Sequence, residues 1–289
     1  MCQFFSAVLT KGHKVHALFG VNSHEDIIEI LDLRERTVRG EPALVRCELE
    51  PPSSITLDFE RWKFKCNQDI LPSWYDETIA RDAMVRYLQN APTLTGEVGI
   101  VDGNYYFSTA KVWLMIGRSS ILYMLPGAEV KEMHDYSYIG RMSSARVGLM
   151  YGSSCVGVMR GWSLIDCVSA SAQVSAMADD SRIGTMIRKT SVGMMCQHAH
   201  IDIMTDDSSV HHLGDEADVQ TMKGQSVIDL VSSQARIGMM EQHSIVKEFC
   251  DDATIELMCG HSQVLDMYGK AKVREVRDFA VVRSERKAA

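Results

Sequence analysis

The chain has 289 residues, 30 of them basic and 38 acidic, which gives a formal net charge of −8 at pH 7. A nucleic-acid binder would be more basic and a strong DNA mimic more acidic, so the composition favours neither class. The eight cysteines form no C-x-x-C pair, and the opening MCQFFSAVLTKGHK has neither a basic region nor a long apolar stretch. This predicts free thiols, no signal peptide, no membrane span and a cytoplasmic location.

The first 107 residues predict a small α+β domain of four strands and two helices. The strands are expected over residues 3–9, 14–18, 43–49 and 62–66, and the helices over 23–33 and 76–88. Ser23 is a suitable N-cap for the first helix, and Asp26 supplies the acid three residues later in a capping box. We expect this domain to cover the open end of the array that follows.

The same region resembles the start of a family of bacterial and phage proteins that has no assigned function. The resemblance rests on Met1-Cys2-Gln3-Phe4-Phe5-Ser6, on Ser23-His24-Glu25-Asp26, and on Trp62 followed by Leu71-Pro72-Ser73-Trp74. In some of those proteins a similar leader precedes arrays like Ser153-Ser154-Cys155-Val156-Gly157-Val158-Met159 here. The resemblance implies the domain layout and a phage or prophage origin, hence the host-cell cytoplasm, and it implies no chemistry. The more divergent array of this chain indicates faces specialised coil by coil.

A nine-residue repeat fills the rest of the chain. It can be written [Ala/Ser]-x-[Val/Ile]-x-x-Met-x-x-x, and twenty copies run from Val112 to Val282, with one residue missing between Ile139 and Val147. The position that holds Val or Ile is called the Val/Ile slot below. Methionine fills fourteen of the nineteen large apolar positions between Met115 and Val276. Such self-similarity predicts a repeat architecture.

The repeat predicts strands and not helices. Nine residues turn an α-helix by about two and a half turns, so successive Val/Ile slots would face opposite sides. In a strand, by contrast, the small residue and the Val/Ile slot two places later share one face. Glycine and aspartate near the end of each unit suit tight bends. The expected fold is therefore a β-solenoid.

The coil is predicted to have two sides of nine residues each. The small position alternates between alanine and serine through Ala199, Ser208, Ala217, Ser226, Ala235, Ser244, Ala253, Ser262 and Ala271. A period of 18 explains this alternation, whereas a triangular coil of 27 residues would mix the two classes. We therefore predict a capping domain over 1–107, a two-sided solenoid of ten coils over 108–282 and a tail over 283–289.

Three residues of the first domain are catalytic candidates. A Cys2 thiolate activated by His24, which Asp26 would orient, is the general arrangement for a cysteine nucleophile. Removal of Met1 would also leave an amino-terminal cysteine, although the rest of the pattern expected of amidotransferase-type enzymes is missing. The competing interpretation is structural: Cys2 in a buried strand, and His24 and Asp26 at the start of a helix.

The turns of the solenoid carry candidate metal ligands. With coils of 18 residues, one edge stacks Asp180, His198, Glu216, Gln234 and Asp252, and the other stacks Asp207, Gln225, His243 and His261. Asp180, His198 and Glu216 are thus predicted neighbours, as are His243 and His261. Zinc or another divalent ion could use such ligands, and stacked histidines could make an edge sensitive to pH. The competing interpretation is solvated turn residues, and we predict no cofactor.

Outward apolar residues predict an interface. Seven of them lie two places after the Val/Ile slot: Leu149, Val158, Met194, Ile203, Leu230, Met239 and Leu257. Neighbouring members would form an apolar stripe along a sheet face, and such patches mark interaction surfaces. The amino-terminal domain or a second copy of the chain could cover the stripe, so a homodimer through a solenoid face is one expected assembly.

The preferred function is non-enzymatic recognition, by an intracellular scaffold that engages a host protein through a rigid elongated surface. Nothing in the repeat pattern places a nucleophile beside a base. The first alternative is an enzyme that uses Cys2, with the solenoid as an oligomerisation stalk. The second is nucleic-acid mimicry by the acidic region 198–218.

Overall fold

The computed structural model describes residues 5–34, 37–38, 40–52 and 56–287. The chain divides into two compact units, Met1–Pro92 and Thr93–Ala289. No helix within the described residues is long and apolar enough to cross a membrane.

The described residues of the first unit form two small antiparallel sheets, two α-helices and a short 3-10 helix (Phe59–Arg61). Its labelled elements are β1 (Phe5–Thr10), β2 (Lys14–His16), α1 (His24–Ile30), β3 (Thr37–Val38), β4 (Glu41–Pro42), β5 (Leu44–Glu50), β6 (Lys63–Cys66) and α2 (Glu77–Gln89). The larger sheet has the order β2-β1-β5-β6, and β3 pairs with β4. The four predicted strands and two predicted helices are all present.

Local capping sets where both helices begin. The Ser23 hydroxyl accepts a hydrogen bond from the Asp26 backbone N–H at 3.2 Å, as the sequence predicts. Asp76 caps α2 in the same way, since its Oδ1 accepts from the Ile79 N–H at 2.9 Å. The first helix ends three residues earlier than predicted because Leu31 is its C-cap and Asp32 has a positive φ of 49°.

The second unit is a β-solenoid of two parallel sheets, one of twelve strands and one of eleven. The odd-numbered sheet contains β7 (Thr93–Leu94), β9 (Asn104–Ser108), β11 (Ser120–Met124), β13 (Tyr138–Ser143), β15 (Cys155–Arg160), β17 (Gln173–Met177), β19 (Ser191–Met195), β21 (Ser209–Leu213), β23 (Val227–Val231), β25 (Ile245–Phe249), β27 (Gln263–Gly269) and β29 (Val281–Lys287). The even-numbered sheet contains β8 (Glu97–Val101), β10 (Lys111–Met115), β12 (Glu129–Met133), β14 (Arg146–Met150), β16 (Leu164–Val168), β18 (Arg182–Met186), β20 (His200–Met204), β22 (Asp218–Met222), β24 (Arg236–Met240), β26 (Thr254–Met258) and β28 (Lys272–Val276). Successive strands alternate between the two sheets, so each coil has two sides.

The strand register confirms the 18-residue coil. Ile183 pairs with Ile201, and Val192 pairs with Val210. The solenoid sheets begin at Thr93, before the predicted residue 108, and continue to Lys287. The sequence period misses the first coils because they are shorter: Val98 pairs with Val112 and Tyr105 with Ile121, offsets of 14 and 16 residues.

The interior consists of repeated columns of side chains. The Val/Ile slots and the methionine positions from Met115 to Met258 are buried. The small residues form two further columns, mostly alanine before the even strands and mostly serine before the odd strands. Methionine suits this core because it is unbranched and adapts to irregular gaps.

The turns between strands are joined from coil to coil by side-chain hydrogen bonds. Most turns have a residue with positive φ, such as Gln197 (58°) or Asp215 (53°). Where this residue is aspartate or glutamine, its side chain accepts from the backbone N–H one coil earlier: Asp215 from Gln197 at 3.1 Å, and Asp251 from Ser233 at 3.0 Å. Aspartate and glutamine therefore tie adjacent turns together as well as tolerating the bend.

Candidate functional site: the outer faces and edges of the solenoid

The in-register pairing stacks outward side chains into columns. Successive side chains in a column lie about 4.8 Å apart, one coil after another. Each repeat exposes three positions on a sheet: the residue before the Val/Ile slot, the residue after it and the second residue after it. On the even sheet, for example, Arg182, His200, Asp218 and Arg236 are consecutive partners in the first of these columns. The two sheets differ in what these columns contain.

The outer face of the even-numbered sheet from β10 to β28, here called the charged face, carries equal numbers of basic and acidic residues. The seven basic residues are Lys111, Lys131, Arg146, Arg182, Arg236, Lys272 and Arg274, and the seven acidic residues are Glu129, Glu132, Asp166, Asp202, Asp218, Glu256 and Glu275. Several pair one coil and two residues apart. The distance from Arg146 Nη2 to Asp166 Oδ2 is 2.7 Å, and that from Arg236 Nη2 to Glu256 Oε1 is 3.2 Å.

His200 lies at the centre of the best-connected group on this face. Its Nδ1 is 2.8 Å from Asp218 Oδ2, and its Nε2 is 2.6 Å from Asp202 Oδ1. Asp202 also accepts a hydrogen bond from Arg182 Nη2 at 2.7 Å. The hydrogen bond to Asp218 outweighs the effect of burial and raises the pKa of His200. The imidazolium form is favoured because both ring nitrogens then donate to carboxylates.

An uncharged column crosses the charged face, and we call it the uncharged stripe. Its seven half-buried members are Leu149, Cys167, Thr185, Ile203, Thr221, Met239 and Leu257. It covers six strand spacings, roughly 29 Å. Four of the seven outward apolar residues named from the sequence, Leu149, Ile203, Met239 and Leu257, are in it. Val158, Met194 and Leu230 lie on the odd sheet instead, because successive nine-residue units alternate between the sheets.

The odd-numbered sheet has a different outer surface. Its column before the Val/Ile slot contains no charged residue in ten strands: Ser120, Tyr138, Cys155, Gln173, Ser191, Ser209, Val227, Ile245, Gln263 and Val281. Charged residues lie instead in the columns after the slot. Asp229 is one of them, with Oδ2 2.7 Å from His211 Nδ1 and Oδ1 2.8 Å from Lys247 Nζ. Burial opposes ionisation of Asp229, but the hydrogen bonds from Lys247 and His211 together lower its pKa.

The predicted neighbours on the first edge are confirmed. His198 lies between two carboxylates, with Nδ1 3.8 Å from Asp180 Oδ1 and Nε2 3.4 Å from Glu216 Oε2. These residues border a groove of about 530 Å³. Within the described residues, however, no three or more histidine, cysteine, aspartate or glutamate side chains are placed to hold a metal ion together. Metal binding at Asp180, His198 and Glu216 stays a prediction.

The histidines of the opposite edge also meet as predicted. The rings of His243 and His261 stack with centroids 5.2 Å apart and an interplanar angle of 8°. Phe279 continues the stack, with its centroid 5.1 Å from that of His261. All three rings are solvent-exposed. This arrangement brings two imidazoles together without a carboxylate between them, and their metal role likewise stays a prediction.

The catalytic candidates of the first unit are only partly described. Cys2 lies outside the described residues. His24 is buried, and its Nε2 donates to the Cys47 carbonyl oxygen at 3.1 Å, because a carbonyl can only accept. Asp26 is solvent-exposed at the start of α1. The role of these three residues as a nucleophile and its base stays a prediction.

One pair in the solenoid does place a hydroxyl beside a possible base, contrary to the prediction from the repeat pattern. His212 Nε2 is 2.9 Å from Ser232 Oγ. Gly214 leaves room for the imidazole, since an added Cβ would approach His212 Nε2 to 3.1 Å. The spacing of 20 residues, one coil plus two, also relates Arg146 to Asp166. That spacing marks both pairs as diagonal neighbours, although it does not show that their side chains reach each other.

Comparison with known proteins identifies no relative of this chain. No protein-family model matches the chain, and no curated protein and no solved structure shows significant similarity to it. The resemblance of the leader segment to a phage family accordingly stays a prediction.

Proposed function

We propose that the chain is a non-enzymatic recognition protein that binds another protein through the charged face of its solenoid. The observation that supports this most directly is the uncharged stripe, half-buried and seven coils long, next to the two columns that hold most of the charged residues of the face. Protein interfaces have this anatomy, with a core depleted in charge and a polar rim. The ten strands of the charged face, each about 16 Å long and about 4.8 Å apart, offer roughly 800 Å², which is what one side of a standard interface buries.

The charge of this face favours a protein over a nucleic acid. Seven basic and seven acidic residues cancel, so the face would not attract a polyanion over long range. The acidic region 198–218 is likewise a poor phosphate mimic, because Asp202 and Asp218 already bind His200 and Arg182. A partner with its own mixed charges would instead be held in one register by complementary pairs.

The partner we propose is a host protein, and the setting we propose is a phage-related protein in the host cytoplasm. Both rest on the leader resemblance, with the seven described cysteines as free thiols in keeping with a reducing compartment. A second copy of this chain is the alternative occupant of the charged face.

The test compares two methionines that occupy the same repeat position on different sheets. Met239 belongs to the uncharged stripe, whereas Met194 is 45% exposed on the odd sheet. A partner captured from host lysate on the full chain is purified, and its affinity is measured by calorimetry. We expect Met239→Glu to weaken binding at least tenfold and Met194→Glu to leave it unchanged.

Light scattering on the same variants distinguishes the two occupants. A wild-type dimer that Met239→Glu converts to a monomer would identify a second copy as the occupant. Equal binding by both variants would contradict the assignment to the charged face. Loss of activity in Cys2→Ser, with binding at the solenoid intact, would favour the enzyme alternative.

A further inference from the structure

Two free cysteines lie directly opposite each other in the first unit. Cys47 of β5 and Cys66 of β6 are paired residues in the antiparallel register. The neighbouring pair is hydrogen-bonded, since the Asn67 N–H donates to the Arg46 carbonyl at 2.9 Å. Hydrogen-bonded and non-hydrogen-bonded pairs alternate along an antiparallel ladder, so Cys47 and Cys66 occupy a non-hydrogen-bonded pair.

That position brings two cysteines within reach of a disulfide. Cα atoms of a non-hydrogen-bonded pair are about 4.5 Å apart, and disulfides span Cα distances of roughly 4.4–6.8 Å. The two side chains also point to the same face of the sheet, because directly opposite residues do. Bond formation therefore requires side-chain rotation and not a change of register. The distance is near the short limit, where a disulfide is strained and more easily reduced.

The two thiols differ in their surroundings. Cys47 is fully buried, and burial followed by the neighbouring Cys66 thiol raises its pKa well above the usual range. Cys66 is half-buried in β6, the last strand of the sheet order. Cys66 is accordingly the thiol that a dissolved oxidant can reach, and Cys47 is placed to react second.

We propose that Cys47 and Cys66 form a reversible disulfide site that is oxidised by small disulfides such as oxidised glutathione. The Cys66 thiolate attacks one sulfur of glutathione disulfide, whose S–S bond breaks and releases one glutathione thiolate. The Cys47 sulfur then attacks the Cys66 sulfur, the mixed S–S bond breaks, and the departing glutathione thiolate takes up the Cys47 proton and leaves as the second glutathione. Two protein thiols are oxidised, one glutathione disulfide is reduced to two thiols, and β6 becomes covalently joined to β5.

The test uses the full chain in buffers of varied reduced-to-oxidised glutathione ratio. After acid quenching and alkylation, mass spectrometry of peptides should show a Cys47–Cys66 link that grows as oxidised glutathione increases and disappears with excess reduced glutathione. Cys66→Ser should abolish the link. Cys259→Ser, which removes a half-buried thiol of the solenoid, should leave it unchanged.

Two results would overturn the proposal. One is that both Cys47 and Cys66 remain fully alkylatable after denaturation, even in excess oxidised glutathione. The other is that glutathione stays attached to Cys66 with no internal link, since Cys47 would then be unable to reach it. Thermal unfolding of the oxidised and reduced chain provides an independent readout, and the linked form should unfold at the higher temperature.

Discussion

Inside the solenoid the same residue types recur from coil to coil, whereas outside they change with nearly every coil. The interior column of the even sheet runs Ile183, Ile201, Val219 and Ile237, while the adjacent exterior column runs Arg182, His200, Asp218 and Arg236. Every interior position packs against an almost identical coil on each side, so a change of volume is felt at once. Exterior positions are less constrained by packing, apart from glycines such as Gly148, Gly184 and Gly238, where a Cβ would meet the backbone of the preceding coil. Most exterior positions are therefore free to become specific for a partner.

The test of this contrast with the largest expected effect compares two isoleucines of β20. Ile201 is buried in the core, and Ile203 is half-buried in the uncharged stripe. We expect Ile201→Ala to lower the free energy of unfolding by about 2–5 kcal/mol, because it removes buried methyl groups and leaves a cavity. The matched Ile203→Ala should cost less than about 1 kcal/mol, as measured by urea unfolding. Similar losses for the two variants would show that the stripe is structural.

The interior was largely predictable from the sequence, because each interior position packs against an almost identical coil and so keeps its residue type. The nine-residue period identifies the slots, and the alternation of Ala199 with Ser208 identifies the 18-residue coil. The prediction stops at Thr93–Ser108, because those coils are shorter and do not keep the period. Regular packing produces a regular sequence, and an irregular coil at the end of the array leaves no periodic signal.

The exterior was predictable only where side chains stack directly. An offset of 18 correctly places His198 beside Asp180 and Glu216. Pairs that reach diagonally, such as Arg182 with Asp202, depend on side-chain length and direction, which periodicity does not contain. The Cys47–Cys66 pair is harder still to predict from the sequence, since only the register of β5 and β6 brings these residues together.

A second prediction concerns the serine column of the interior. Ser226 is fully buried, and its hydroxyl has no hydrogen-bond partner in the part of the chain that the structure describes. The column of the opposite side holds Ala235 at the equivalent position, so alanine fits there sterically. We expect Ser226→Ala to raise the free energy of unfolding by about 1–2 kcal/mol, because an unpaired buried hydroxyl is removed.

The control for Ser226→Ala is Ser209→Ala, which removes an outward hydroxyl of β21. Its effect should fall within about 0.5 kcal/mol of zero. A loss of stability in Ser226→Ala would mean that a bound water satisfies the hydroxyl. The serine column would then be a hydrated feature of the core, and packing alone would not account for the stability of the interior.

The smallest expected effect lies on the charged face, at His200. Because its folded-state pKa is raised, its contribution to stability is fully present below the unfolded value of about 6.5 and is lost as the pH rises through the folded-state pKa. The ion pairs are partly solvent-exposed, so the contribution should be about 0.2–1 kcal/mol. Urea unfolding at pH 6 and pH 9 should show wild type losing this increment on going to the higher pH.

His200→Gln separates that increment from all other titrations, since glutamine can still hydrogen-bond but cannot become charged. The difference between wild type and His200→Gln should be larger at pH 6 than at pH 9. His198→Gln is the matched control, because His198 is more exposed and lies farther from its carboxylates, at 3.4 and 3.8 Å. An equal pH effect in the two variants would mean that long-range charge and not the close contacts to Asp202 and Asp218 stabilises the imidazolium. The exterior would then act through its overall charge, and recognition by individual columns would lose its physical basis.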